Sequence, residues 1–447
     1  MARPLGQRIR MALMALVFCG VGLPAAAIGL IRDPDIEHAL KELARPVITA
    51  AGLSPSQIKI LVVNDQKLNA FVVDTQHILL HSGLILTVKT AEELQAVLAH
   101  EVAHIANGHI SRRIANLNTA SVAARFGLLM ALAVGAASGS AEAGAAVALG
   151  TASSASRVFL SHTRAEEASA DQSALRYLAT SGIDPTAMSD VLDYFRGQEV
   201  LSETRQDPYV RSHPLTRDRI RAVEGYAAAY AGRAQEHPQA QYWFLRAQGK
   251  LSAFLRKPGW TLQRVKSPKT DVDLMRLAVA LHSAGQHEKG MAAMNQLIAA
   301  RPGDPYYLEL KGQLQLEGRE FAAAASTYGA AANAAPGDPL ILAGYGRALV
   351  ATGQMGSAVG VLERARARDP ADPRMLRDLA VAYAKTGNNG MASIVTAERY
   401  AVLGNLKTAA IHAKRAEALL PRGSPGWIRA QDVLSAAKSA GIKIKEG

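Results

Sequence analysis

A mostly helical α+β chain that ends in a solenoid of helical hairpins is the fold class the sequence predicts, and three observations predict it. Aromatic residues make up only 5% while alanine is abundant, which suits close-packed helices better than a strand-rich sandwich. Two short β-branched or apolar runs bounded by turn residues occur in the first hundred positions, enough for a small sheet. Pro268, Pro302, Pro336 and Pro370 follow one another at a constant interval of 34 residues, the signature of a repeat array. At 447 residues the chain exceeds one hydrophobic core and suits two or three domains of roughly 100–200 residues. Hydrophobic residues at 49%, charged residues at 20% and a mean hydropathy of +0.03 exclude global disorder. Lys and Arg number 50 against 38 Asp and Glu, a net charge of +12, yet the basic residues are scattered, so no nucleic-acid partner is expected.

In chain order, Arg3, Arg8 and Arg10 precede the apolar stretch Met11 to Leu23, and Ala25-Ala26-Ala27 stand at cleavage spacing, so residues 1–27 are expected to be a signal peptide. The single cysteine, Cys19, falls inside it, leaving an exported chain without disulfides. Lipid attachment at Cys19 is the alternative, opposed by the bulky Phe18, and an uncleaved anchor is opposed by the short apolar run. Asp35 caps a helix whose residues Ile36, Ala39, Leu40, Leu43, Val47 and Ile48 recur at helical spacing until Gly52. Ile58 to Val63 and His77 to His81 are expected strands. Thr90 and Glu93 then form a capping box for a long helix buried through Leu94, Val97, Leu98, Val102 and Ile105.

Residues 126–155 are rich in Ala and Gly with Glu142 the only charge; they suggest a flap or helical hairpin lying on the protein, with peripheral membrane contact as the alternative. A further helix from about Arg164 ends at Ser181-Gly182. The 34-residue interval is the tetratricopeptide period, and Pro302-Gly303-Asp304-Pro305, with its equivalents at Pro336 and Pro370, closes one hairpin and opens the next. A weaker unit around Tyr242 to Ala253 begins the array. Beyond Pro370 the next comparable proline is Pro421, so a lengthened or degenerate terminal repeat is expected. Gly312 with Ala324, and Gly346 with Ala358, fall where the two helices of a hairpin must approach closely.

His100-Glu101-Val102-Ala103-His104 carries the chemistry. Four residues of helix return almost to the same face, so both imidazoles can bind one ion while Glu101 projects beside it. That is the arrangement of metal-assisted hydrolysis, in which an adjacent carboxylate takes the proton of an attacking water. A third protein ligand is required, and Glu167 is the choice, early in the later helix. Asp171 lies one turn on along the same face, where it can hold the N–H of a ligating histidine; Glu166 points away into solvent. His109 follows His104 at five residues, one short of the metzincin spacing, and is expected to be structural, as are His77, His81 and His162.

These residues, together with Asn69-Ala70-Phe71 and Gly83-Leu84, resemble the M48 zinc metallopeptidases. The N-terminal leader, Ile31-Arg32-Asp33 and the trailing repeats look most like the periplasmic branch of that family. The resemblance implies a zincin-like, gluzincin-type metallopeptidase domain over residues 28–235 and a tetratricopeptide domain over 236–447. It implies one zinc ion per chain on His100, His104 and Glu167, with Glu101 as general base. The family's His-Pro loop corresponds to Ser212-His213-Pro214-Leu215, so His213 could approach the metal and hold the enzyme latent, while Arg219 could stabilise an oxyanion. An ordinary loop histidine and a surface arginine are the alternatives for these two. Asn69, Ala70 and Phe71, with the strand through His81, are expected to form the edge that takes a substrate backbone. Val72-Val73-Asp74-Thr75-Gln76 replaces the family's usual Gly-rich turn and leaves the shape of that edge open.

Two functions are consistent with these features, and a third, an integral membrane protease, rests only on the Phe126 to Ala155 segment. One is a periplasmic zinc endopeptidase acting on unfolded or misassembled envelope polypeptides, its repeats docking substrate or the outer-membrane assembly machinery. The other is a repeat-based scaffold or chaperone whose peptidase domain stays shut.

Overall fold

The structure, a computed structural model, describes residues 29–116, 163–201, 205–230, 232 and 234–442. The expectations for the signal peptide, Cys19, residues 126–155 and His162 lie outside the described residues.

Four strands form one sheet in the order β1 (Gly29–Ile31), β2 (Lys59–Asn64), β4 (His77–His81), β3 (Ala70–Val72). β2 and β4 are parallel, with Leu61 opposite Leu79, and the two three-residue strands pair antiparallel outside them. Side chains alternate as the pleat requires. Ile60, Val62, Ile78 and Leu80 enter the main core, whereas Val63 and Leu79 pack with Val73 on the other face. β4 is interior, so only β3 offers a free edge on that side; the expectation that the His81 strand shares the edge is corrected.

Helix α1 (Pro34–Ala50) is capped by Asp33, which accepts from the backbone N–H of Asp35 and Ile36. Asp35 is therefore not the cap. Proline favours the first helical position, which sets the cap one residue before Pro34 and leaves Asp35 buried in the first turn. α2 (Ser82–Thr87) follows β4 directly. Gly83 has no room for a side chain, since a Cβ would lie 2.1 Å from the Gln66 carbonyl oxygen. α3 (Ala91–Ala106) starts at Thr90, which accepts from Glu93 N–H, while the Glu93 carboxylate reaches back to Lys89 N–H. After Gly108, at a φ of +69°, α4 (His109–Asn116) begins. α5 (Arg164–Thr180) has a full capping box between Thr163 and Glu166, so Glu166 closes the helix start rather than lying free in solvent. α1, α3 and α5 share one core with the sheet through Leu40, Leu43, Leu94, Leu98, Ala174 and Leu178. α6 (Ala187–Asp193), α7 (Pro208–Ser212) and α8 (Arg217–Ala229) add Val191, Leu192, Tyr209, Val210, Ile220 and Val223 to it.

α9 (Pro238–Leu255) faces two ways. Phe244, Ala247 and Leu251 join the core of α1, and Gln248 donates to the carbonyls of Ile85 and Val88 at 2.9 Å. Ala253, on the same helix, packs with Val272 and Met275 of the first hairpin. After the short α10 (Pro258–Arg264) come five hairpins: α11/α12 (Asp271–Ser283, His287–Ala300), α13/α14 (Pro305–Glu317, Phe321–Ala334), α15/α16 (Pro339–Ala351, Met355–Arg368), α17/α18 (Pro373–Lys385, Asn389–Val402) and α19/α20 (Leu406–Leu419, Pro425–Ser439). Asp304, Asp338 and Asp372 each cap the following helix by accepting two backbone N–H groups, and proline takes the next position. The fourth hairpin still keeps the period, and beyond it the period breaks as expected: the left-handed turn glycines Gly353, Gly387 and Gly404 are 34 and then 17 residues apart, and Asn405 caps the first helix of the fifth hairpin by accepting from Thr408 N–H, so no proline marks its start. Pro421 sits in the turn inside that hairpin. Gly312 and Gly346 are close-approach positions, because a Cβ there would come within 2.6 Å of Tyr328 and 2.4 Å of Leu362.

Candidate metal centre

α3 carries His100 and His104 on one face, and both are fully buried. Their Nε2 atoms are 3.1 Å apart. α5 packs across α3 and delivers Glu167, whose Oε2 lies 3.4 Å from His100 Nε2 and whose Oε1 lies 3.3 Å from His104 Nε2. The α7–α8 loop adds His213, with Nδ1 3.0 Å from Glu167 Oε1 and 3.3 Å from His100 Nε2. One ligand atom from each of these four residues lies within 4.8 Å of all the others. Among the described residues, no other group of three or more His, Cys, Asp or Glu side chains converges in this way.

The surrounding shell fixes these groups. His100 Nδ1 is 2.9 Å from Asp171 Oδ1, one turn beyond Glu167 as its sequence position required. His104 Nδ1 is 2.9 Å from His109 Nδ1. Arg219 is 6% exposed, which removes the surface-arginine alternative; its guanidinium pairs with Asp171 through Nε and Nη2 and with Glu167 Oε2 at 2.6 Å. His213 is likewise buried, so it is no ordinary loop histidine. Its Nε2 is 3.1 Å from the Ala70 carbonyl oxygen and 3.5 Å from Glu101 Oε1, and its ring packs on Tyr209 at 4.7 Å. Ala70 lies on β3, and Asn69 just before it receives a hydrogen bond from Ser212 Oγ to its side-chain oxygen. Phe71 is half-buried, with its ring centroid 6.0 Å from that of His81 on the neighbouring strand.

Charge in the centre is set by burial against close pairing. Burial opposes a charged His100, but Asp171 and Glu167 outweigh it and push its pKa up to about 10. Burial holds His104 well below the ordinary histidine value despite Glu167. Burial also opposes ionisation of Glu167, yet Arg219, His213 and His100 keep its carboxyl well below the usual range. Glu101 goes the other way, raised chiefly by burial. Its two carboxylate oxygens are buried and have no hydrogen-bond partner among the described residues.

These residues fit a metal ion. Two imidazole nitrogens converge beside an ionised carboxylate, and the raised pKa of His100 shows that the field there favours positive charge, which a metal ion can supply in place of the proton. Two imidazoles and one carboxylate are a donor set suited to zinc. His100, His104, Glu167 and Asp171 stand together as the sequence expected. Two contacts had not been expected: His109 against His104, and Tyr209 under His213. The first had a signal in the left-handed turn available to Gly108, which brings the two rings together across a five-residue spacing; the second had none.

Residues 31–227 match peptidase family M48 and residues 315–377 match the tetratricopeptide repeat. The beta-barrel assembly-enhancing protease of Yersinia pestis is 27% identical over 314 residues, covering 67% of this chain and 62% of that protein. The protein of the same name from Escherichia coli K12 is 24% identical over 299 residues, covering 64% of this chain and 59% of that protein. The matched region thus spans about three fifths of the length of these relatives.

Proposed function

We propose, from the match of residues 31–227 to peptidase family M48, that this chain is a zinc-dependent endopeptidase holding one ion on His100, His104 and Glu167. The observation that carries the reading is the convergence of those three side chains beside a buried Glu101 whose carboxylate oxygens accept no hydrogen bond among the described residues. When bound, zinc supplies Lewis acidity, acidifying water and polarising a peptide carbonyl. Glu101 takes the proton from the attacking water at a carboxylate oxygen and passes it to the departing amine. Its raised affinity for a proton brings it nearer the working pH of a general base. Asp171 holds the N–H of His100 and so fixes which nitrogen faces the ion. The guanidinium of Arg219 is already shared between Glu167 and Asp171, which supports a positioning role for it over the oxyanion contact implied by the resemblance.

β3 is the edge on which a substrate backbone adds, with Asn69, Ala70 and Phe71 along it. His213 competes for that position, since it bonds the Ala70 carbonyl while lying among the ligands. Displacing it frees the edge and the centre together, which accounts for latency. The relatives' name, beta-barrel assembly-enhancing protease, supports a bacterial envelope setting; in this reading unfolded or misassembled envelope polypeptides are the substrates and the repeats the docking element. His213 in the cluster also favours a second reading, a repeat-based scaffold for outer-membrane assembly with a shut peptidase domain. Zinc content and cleavage of unfolded casein by wild type and Glu101→Gln test the first. The variant should keep its zinc and lose essentially all turnover; near-normal cleavage would remove Glu101 as base, and a wild type that never cleaves would favour the scaffold.

A further inference from the structure

Two histidines meet at the turn of the first repeat hairpin. Gly285, at a φ of +76°, reverses the chain between α11 and α12, so His282 faces His287 with the two Nδ1 atoms 3.0 Å apart and the rings inclined at 68°. The other nitrogen of each ring reaches the turn of the next hairpin. His282 Nε2 lies 2.9 Å from Glu317 Oε2, and His287 Nε2 lies 2.7 Å from Glu320 Oε1. The site is packed against backbone as well, because a Cβ on Gly318 would come within 2.4 Å of the His287 ring.

Counting protons shows what this arrangement requires. An ionised carboxylate accepts hydrogen bonds and donates none. Both Nε2 atoms are then donors, each neutral ring keeps its lone pair on Nδ1, and two lone pairs face each other. Such a contact is repulsive unless a cation lies between them. The similar pair His104 and His109, with Nδ1 atoms 2.9 Å apart, raises no such demand. There His104 turns its Nε2 lone pair towards the metal centre, so its Nδ1 carries the proton and donates to His109. No neutral assignment satisfies His282 and His287 in that way. An imidazole whose far N–H is held by a carboxylate is also the form in which histidine ligates transition metals, and imidazole nitrogen suits zinc, copper and nickel.

We propose that His282 and His287 form a divalent transition-metal site of the zinc class in the repeats, separate from the His100 centre, with Glu317 and Glu320 orienting the two rings. The ion ties α11 to α12 within the first hairpin, and the hydrogen bonds from the two rings to Glu317 and Glu320 carry that restraint to the second. Water completes its coordination. The inference does not depend on the peptidase reading, since its readout is a difference in stoichiometry between variants that leave the His100 centre intact.

Equilibrium dialysis of the full chain against zinc at neutral pH tests it. Wild type should bind one equivalent more than His282→Ala or His287→Ala, and saturating zinc should raise the Tm of wild type by more than that of either variant. Glu317→Gln and Glu320→Gln should weaken the additional site about 10–100-fold while casein cleavage stays unchanged. If wild type and both histidine variants bind the same number of equivalents, the pair holds a shared proton only and the proposal fails. Should a histidine variant misfold by circular dichroism, the Glu320→Gln titration decides. An unchanged isotherm in that variant equally overturns the proposal.

Discussion

At the scale of single residues, the centre depends on side chains that hold other side chains. Asp171 faces His100 on one side and Arg219 on the other, so Asp171→Asn should keep the fold and weaken zinc binding about 10–100-fold. A competitive chelator titration measures this, and unaltered affinity would show that the Asp171 contact does not orient His100. His213 argues in the opposite direction. His213→Ala removes a group bonded to Ala70 and lying among the ligands, so resting cleavage of casein and of the chain itself should rise several-fold; unchanged or lower activity would leave His213 a structural role only. The meeting of His100, His104 and Glu167 was legible because a four-residue helical spacing and a capped helix fix directions locally. His213 and Arg219 were legible only through the family pattern, since their placement depends on how the α7–α8 loop folds back over α5, and residue spacing does not encode that.

At the scale of elements, caps decide where helices begin, and one misplaced cap has chemical consequences. Asp33 rather than Asp35 starts α1 because Pro34 takes the first helical position, and Asp35 is thereby turned inward to meet Arg246 at 2.6 Å. Lys250, one turn further along α9, sits 2.8 Å from Asp33 and 3.7 Å from Glu309 on α13. Burial raises the Glu309 carboxyl to about 8, with Lys250 pulling it the other way. A carboxyl raised in the folded state stabilises that state when protonated. Its contribution is full below the unfolded value of 4.5 and is lost as pH rises through about 8. Glu309→Gln, which keeps an acceptor for Tyr328, should therefore flatten the fall in Tm between mildly acidic and alkaline pH. Parallel curves for variant and wild type would show that Glu309 ionises freely. The helical hairpins were legible from the Asp-Pro phrase, which is both cap and first turn. The phrase ends after the fourth hairpin because Asn405 does the capping without a proline; β1 was missed because three residues show no alternation, and β3 was legible only as the edge that the family pattern implied.

At the scale of the whole molecule, the peptidase domain and the repeats are joined by buried charge rather than by a linker. Arg246 on α9 is fully buried, pairs with Asp35 of α1 at 2.6 Å and with Asp304 of the second hairpin at 2.7 and 2.8 Å, and stacks on Tyr307 with its guanidinium carbon 3.7 Å from the ring centre. Further along the array, Arg32 beside β1 reaches Asp369 at 2.7 Å. The repeats thus curve back to the first strand of the peptidase sheet, and the boundary expected near residue 236 falls before a helix that belongs to both cores. Desolvating these charges is costly, and their pairing offsets that cost only while every partner is present. Arg246→Met leaves two carboxylates facing a side chain that cannot pair with them. It should destabilise the chain by about 3–5 kcal/mol in urea unfolding, the range for breaking a buried pair from one side. Wild type should unfold in one transition and the variant in two, because the joint that couples α1 to the second hairpin is lost while each core keeps its own apolar contacts. Adding Asp35→Asn should recover part of the loss by removing one unpaired charge. A variant that unfolds in one transition with a change below about 1 kcal/mol would show that water reaches Asp35 and Asp304 and that the joint is held by apolar packing of α9 alone.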